Sequence, residues 1–138
     1  MVLAGCGPAA QDDTTDTGTS DKTGGSSAAE ALGDGTTLRV GMEAAYAPYN
    51  WQVSAAGDTT IPIDNVDGAF ADGYDVQIAK RIAEALGMEP VAVKLSFDGL
   101  VNALTNGQID IICAGMSTTP ERAQSADFSD AYLDDGIV

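Results

Sequence analysis

Arg122 closes the stretch AGMSTTPER, which begins at Ala114 and carries a hydroxyl at Ser117. These residue types suit the capture of a small organic acid. A guanidinium offers a planar fork of donors that meets a carboxylate with two parallel bonds. The Ser117 hydroxyl adds a donor, and backbone N–H groups near a helix start add more, aimed at the same anion. Gly115, beside the small Ala114, lets a ligand approach the main chain closely. Each feature also has a plainer reading. Arg122 can pair with Glu121, Asp127 or another surface acid, and Thr119-Pro120-Glu121 is an ordinary helix start.

Two other stretches carry complementary chemistry. In EAAYAPYNW, from Glu43 to Trp51, Glu43 can accept from an ammonium or a polar side chain, and Tyr46 presents a ring. Phe97 presents a second ring, so that an aliphatic or aromatic group could lie between the two. An anion receptor, a candidate cation receptor and two rings describe a site for an α-amino acid. Taken singly, Tyr46 and Phe97 also read as core residues and Glu43 as a solvated loop acid. Their joint arrangement carries the reading.

For these residues to meet, the elements before them must end at one edge. Leu38 to Met42 alternates as a short strand, and Pro48 keeps Ala47 extended in the loop beyond. Residues 54–72 read as a Gly/Asp-rich loop with a short hairpin around Ile61–Ile63. Asp75 to Leu86 has apolar residues at helical spacing, with Gly87 suited to its C-terminal cap. Pro90 to Leu95 reads as a strand. Ser96 is placed to N-cap a second helix that buries Leu100, Val101 and Leu104 and ends at Gly107. Ile109 to Cys113 is an apolar run apart from Asp110, suited to a buried parallel strand. Thr119 then caps a helix with Pro120 at its first position. The order β-α-β-α-β-α predicts an α/β fold, a three-layer structure around a parallel sheet. In such sheets ligands bind outside the carboxyl ends of the strands, where Glu43, Tyr46, Phe97, Ala114, Gly115, Ser117 and Arg122 all fall.

The totals narrow the function. A chain of 138 residues accommodates one domain. Six basic residues against 21 acidic ones leave a net charge of -15, so no basic patch is available for nucleic acid. With no His, zinc chemistry and a Ser-His-Asp triad are poor candidates, and no cofactor or metal is expected. Asp64 to Gly68 resembles a calcium loop in composition but places Val66 and Gly68 at ligand positions and Ala69 where the turn needs Gly. No apolar run approaches the roughly 20 residues of a membrane-spanning helix. Cys113 reads as a small buried hydrophobe, with no support for a disulfide to Cys6.

Residues 7–36 are rich in Gly, Ser, Thr and Asp and lack aromatic, Val and Ile residues. They are expected to be a disordered tether, able to span about 30 Å as a flexible coil. Before it stands Leu3-Ala4-Gly5-Cys6, similar to a bacterial lipobox, in which the Cys sulfur is acylated. A signal peptide also has a charged start and an apolar stretch. Only five residues precede Cys6, so this reading places the true start upstream. Residues 1–6 are thus read as a signal remnant, 7–36 as a linker and 37–138 as the domain.

Residues 36–138 resemble the bacterial extracellular solute-binding proteins of amino-acid ABC transporters (family 3, type 2 periplasmic-binding fold). The resemblance rests on LRVGMEAAYAPYNW, GYDVQIAKRIAEALG and FDGLVNALTNGQIDIICAGMSTTPERAQSADFSDAY. It implies that Arg122 grips the ligand α-carboxylate with help from Ser117. Ala114 and Gly115 let the ligand lie on the main chain, Tyr46 and Phe97 pack on its side chain, and Glu43 contributes to selection. It further implies a monomeric, non-enzymatic component held outside the cell membrane by the lipid on Cys6. This component would bind a free polar or charged amino acid and dock on permease subunits. Alternatives on the same fold are a cyclohexadienyl-dehydratase-like enzyme and a ligand-binding sensor domain. In relatives a second lobe follows a crossover, and AYLDDGIV ends this sequence about there. The chain is therefore read as the first segment of lobe I, a fragment or truncated product that binds an amino acid weakly or not at all. For the anchor, a bacterial cell expressing the full precursor is expected to incorporate labelled palmitate into the protein and to lose the label on Cys6→Ser; label that persists in the variant would refute it.

Overall fold

Leu38, Val40 and Met42 of strand β2 (Thr37–Met42) have no exposed surface, because they point to one face of the strand and that face is covered by the core. On one side it pairs in parallel with β7 (Glu89–Lys94), in register from Thr37 opposite Glu89 to Met42 opposite Lys94. On the other it pairs in parallel with β8 (Ile111–Ile112). Thr37 and Arg39, on the other face, are only part-buried. The computed structural model describes Val2–Leu3 and residues 33–134; Cys6, nearly all of the expected linker and residues 135–138 lie outside them.

The sheet has five strands in the order β7-β2-β8-β1-β9. β1 (Val2–Leu3) runs antiparallel to both β8 and β9 (Asp127–Phe128), so the sheet is mixed where an all-parallel one was expected. Two residues before a polar stretch carry no periodicity, and nothing in the sequence marks them as a strand. β8 is shorter than the expected strand Ile109–Cys113, but its main chain follows β2 beyond the ladder. Asp110 N donates to Arg39 O at 2.9 Å and Cys113 N to Gly41 O at 3.2 Å. Cys113 is a free thiol, and burial pushes its pKa up to about 12.

Helix α1 (Tyr74–Leu86) buries Val76, Ala79 and Ala83 and ends at Gly87 in the left-handed conformation, as its pattern predicts. Its start has no side-chain cap. Instead Tyr74 N and Asp75 N donate to the carbonyls of Pro48 and Tyr49 at 3.1 and 2.8 Å. This close approach requires Gly73, since a Cβ there would lie 2.4 Å from Tyr49 O. The Ala47–Pro48 peptide in the same loop is cis.

Helix α2 (Leu100–Thr105) follows a 3-10 turn over Phe97–Gly99. Ser96 does not cap it through its hydroxyl, as expected; its carbonyl accepts from Gly99 N at 2.9 Å. Helix α3 (Pro120–Ala123) is one turn, and Thr119 Oγ1 accepts from Arg122 N at 3.2 Å, the predicted cap. α1 packs on β7 and α2 on β2 and β8.

Residues 43–72, read mainly as loop, form a second, antiparallel sheet. Its strands β3 (Ala45–Tyr46), β4 (Asn50–Val53), β5 (Ile61–Pro62) and β6 (Phe70–Asp72) are ordered β3-β4-β6-β5. Strands this short show no alternation. They are held by burial of Ile61, Ile63, Ala69 and Ala71 against the main core. The expected linker also ends earlier than Thr36. Asp34 Oδ1 accepts from Thr37 N at 2.7 Å and Thr36 N at 2.8 Å, closing a turn into β2. Those backbone donors, Thr37 first, hold the Asp34 carboxyl below its usual range.

At the opposite end of β2 from the candidate site, the Asp110 carboxyl, 4% exposed, accepts from Arg39 N, Nε and Nη2 at 2.9, 3.2 and 2.9 Å. The Arg39 side chain is 33% exposed, so on loss of Asp110 water can reach its guanidinium but not the sheet-edge N–H as readily. Asp110→Ala is expected to cost about 1–3 kcal/mol, read as a lower urea midpoint at unchanged m-value; an unchanged midpoint would show the fork contributes nothing.

Candidate functional site

Parallel pairing of β2, β7 and β8 brings the residues after Met42, Lys94 and Ile112 to one edge of the sheet. Glu43 and Tyr46 therefore emerge beside Gly115 and Ser117, with Phe97 on the turn after β7 and Arg122 on α3. Of the expected site residues, Tyr46, Gly115 and Ser117 line one cavity at this edge.

Arg122 is the focus of this rim. The Thr119 cap orients the single turn of α3, and the half-buried side chain returns over the loop after β8. Its Cζ lies 5.2 Å from the centroid of the Phe97 ring, a cation–π contact worth about 0.5–1 kcal/mol. Nη1 donates to Ser117 O at 2.8 Å. Neither Glu121 nor Asp127 bridges it; the ion pair among the described residues joins Arg39 and Asp110. A guanidinium carries five N–H donors, and one is used here, so the fork keeps donors for an anion.

Beside it lies a cavity of about 210 Å³. Tyr46, Tyr49, Gly115 and Ser117 line one side, and residues 128–133 line the other. The Tyr46 and Tyr49 rings meet at 4.9 Å with 37° between planes. Gly115 has φ 61, and a Cβ on it would come within 3.2 Å of the Tyr46 ring. Glycine is thus favoured by the left-handed conformation, and the ring laid against it makes a Cβ a tight fit. Of the remaining predicted residues, Phe97 and Arg122 pair beside the cavity without lining it. Glu43 is half-buried and does not line it either. Ala114 is 2% exposed, so its methyl belongs to the core and only its main chain is left for a ligand. A second, shallower hollow of about 480 Å³ against Trp51 and Tyr74 holds none of the predicted residues.

Four residues of this region were not singled out from the sequence: Tyr49, Asn50, Asp75 and Tyr132. Asp75 and Asn50 have no exposed surface. Asp75 accepts from Asn50 Nδ2 at 2.8 Å and from the Tyr132 hydroxyl. Burial first, then this bond, push the Tyr132 phenol far above its usual range, so it remains a donor. A signal for Asp75 was legible. It precedes Ala79 and Ala83 at intervals of four on the apolar stripe of α1, and an acid on such a stripe must be buried and paired. Among the described residues no group of three or more His, Cys, Asp or Glu could hold a metal ion, and no helix is long and apolar enough to cross a membrane.

An α/β lobe with this rim is the architecture of type 2 periplasmic-binding domains. The arginine-bound form of domain 1 from TmArgBP, the ArgBP of T. maritima, is 37% identical with a TM-score of 0.59, covering 73% of this chain and 70% of that one. Residues 38–138 match the profile of the bacterial extracellular solute-binding proteins, family 3, and the chain belongs to that family. It is similar to a probable histidine-binding protein of Campylobacter jejuni, 36% identical over 96 residues, which cover 70% of this chain and 32% of that protein. It is also similar to a cyclohexadienyl dehydratase of Pseudomonas aeruginosa, 33% identical over 99 residues, covering 72% and 32%. The chain spans about a third of the length of these curated relatives.

Gly115→Ala is expected to destabilise the chain by about 1–2 kcal/mol and to shift the Tyr46 ring resonances. The cost should shrink when Tyr46→Ala removes the opposing ring. An equal cost in both backgrounds would show that the contact between Gly115 and Tyr46 is not tight.

Proposed function

We propose that this chain supplies the anion-gripping lobe of an extracytoplasmic amino-acid-binding component of an ABC importer. The observation that carries the reading is the Arg122 guanidinium, held at the rim by Phe97 and Ser117 and paired with no acid among the described residues. The ligand α-carboxylate takes its free donors, with the Ser117 hydroxyl as a second donor. A guanidinium already fixed by packing loses less freedom on binding, which favours affinity. The ligand ammonium donates to main-chain carbonyls at Ala114 and Gly115. Its side chain lies between Tyr46 and Phe97, with Glu43 within reach of a polar or cationic end. The ligand is a free polar or charged amino acid. Relatives that bind histidine and arginine support this class.

The reading is of binding rather than turnover, although a dehydratase is among the relatives. The acid at the rim, Glu43, forms no ion pair among the described residues that would set it up as a proton donor. The sequence reading expects weak binding or none from these 138 residues; the arginine-bound domain 1 of TmArgBP instead supports measurable binding by one lobe. In the cell the protein is monomeric and delivers its ligand to permease subunits, tethered by the lipid on Cys6. Processing before Cys6 would detach β1, so membrane anchoring and the strand between β8 and β9 compete for the same few residues.

The test is an amide-resolved NMR titration with L-arginine and with agmatine, its counterpart without the carboxylate. L-Arginine is expected to shift the amides of Ser117 to Arg122, agmatine to leave them unmoved, and Arg122→Met to abolish the response. An equal response to both ligands, an unaffected variant, or no shift with any amino acid would overturn the proposal.

A further inference from the structure

The buried carboxyl of Asp75 joins two parts of the cavity wall that are far apart in sequence. Each of its oxygens has one side-chain donor: Asn50 Nδ2 at 2.8 Å on one, and the Tyr132 hydroxyl on the other. Asn50 in turn accepts, through Oδ1, from the backbone N–H of Ala44 at 2.8 Å. Ala44 is the non-glycine residue with positive φ, 55°, among the described residues, and it stands two positions before Tyr46. At the other end, Tyr132 is fixed by more than its hydroxyl. Its ring stacks on Tyr74 at 5.9 Å, and its carbonyl accepts from the Tyr74 hydroxyl at 3.0 Å.

We propose that Asp75 is a positioning residue, which through Tyr132 and Asn50 locks the segment after β9 to the loop that carries Tyr46. The physical reason is the burial of the relay. A fully enclosed carboxyl or amide that loses a partner bears its full desolvation cost, so each member holds the next in place. No buried side-chain nitrogen or oxygen among the described residues lacks a partner, so every member of the relay is satisfied as it stands. The left-handed turn at Ala44 is unfavourable for alanine and is retained where surrounding bonds over-determine it. Movement of residues 129–134 therefore reaches Ala44, and with it Tyr46 on the opposite wall. The effect on ligand rests on the amino-acid reading; the coupling does not.

Two readouts separate them. Tyr132→Phe keeps the ring and removes the donor. In this variant the Ala44 amide is expected to exchange with solvent at least about tenfold faster, while the Ala79 amide inside α1 changes by less than about twofold. The Kd for L-arginine is expected to rise by about fivefold or more, and Tyr132→Phe added to Asp75→Asn should add little, because the two act through one bond. Should Asp75→Asn fail to fold, the comparison of the two amides in Tyr132→Phe decides alone. An unchanged Ala44 rate, or equal acceleration at Ala44 and Ala79, overturns the proposal. A coupled Ala44 in a wild-type chain that binds no arginine sustains the relay and overturns the amino-acid reading instead.

Discussion

Parallel pairing on both edges of β2 is the constraint on which the rest depends. Strands that run the same way release their chains at the same edge, so three loops distant in sequence are delivered to one rim. The register from Thr37–Glu89 to Met42–Lys94 sets the height at which each loop leaves. It survives because a slip by one residue would turn Leu38, Val40 and Met42 out of a core that leaves none of them exposed. The geometry of the binding edge is therefore secured by the hydrophobic effect at the centre, well away from any polar chemistry.

Polar groups then refine what the core has placed, and the two ends of the sheet use them differently. At one end Arg39 and Asp110 close on each other, with the Arg39 backbone N–H, Nε and Nη2 all donating to the one carboxyl. At the other, Arg122 is steadied by a ring and a carbonyl, partners that orient a guanidinium without neutralising it. The two arginines thus differ in partner: Arg39 meets a buried carboxylate, Arg122 a ring and a carbonyl.

Much of this could be read from the residues in order. The stripe of α1, the glycine after it, the cap at Thr119 and the apolar run before Cys113 are local patterns, and local patterns are what periodicity and capping rules detect. The antiparallel sheet of β3 to β6 escaped because its strands are two to four residues long and are held by contacts with the main core. Ser96 misled for a related reason: a cap residue type stood where the chain took a 3-10 turn first.

The sequence by itself determined the α/β order whose strands β2, β7 and β8 pair in parallel, and which residue types stand just beyond their ends. Those follow from spacing along the chain, which local sterics and apolar burial translate directly into elements. Only the tertiary structure decided that Arg122 rests on Phe97 rather than on Glu121 or Asp127, that the Ala114 methyl turns into the core, and that Asp75, Asn50 and Tyr132 meet behind the cavity. Each of these is a choice among partners of similar chemistry, and it is made by which surfaces the folded core leaves within a few ångströms of one another.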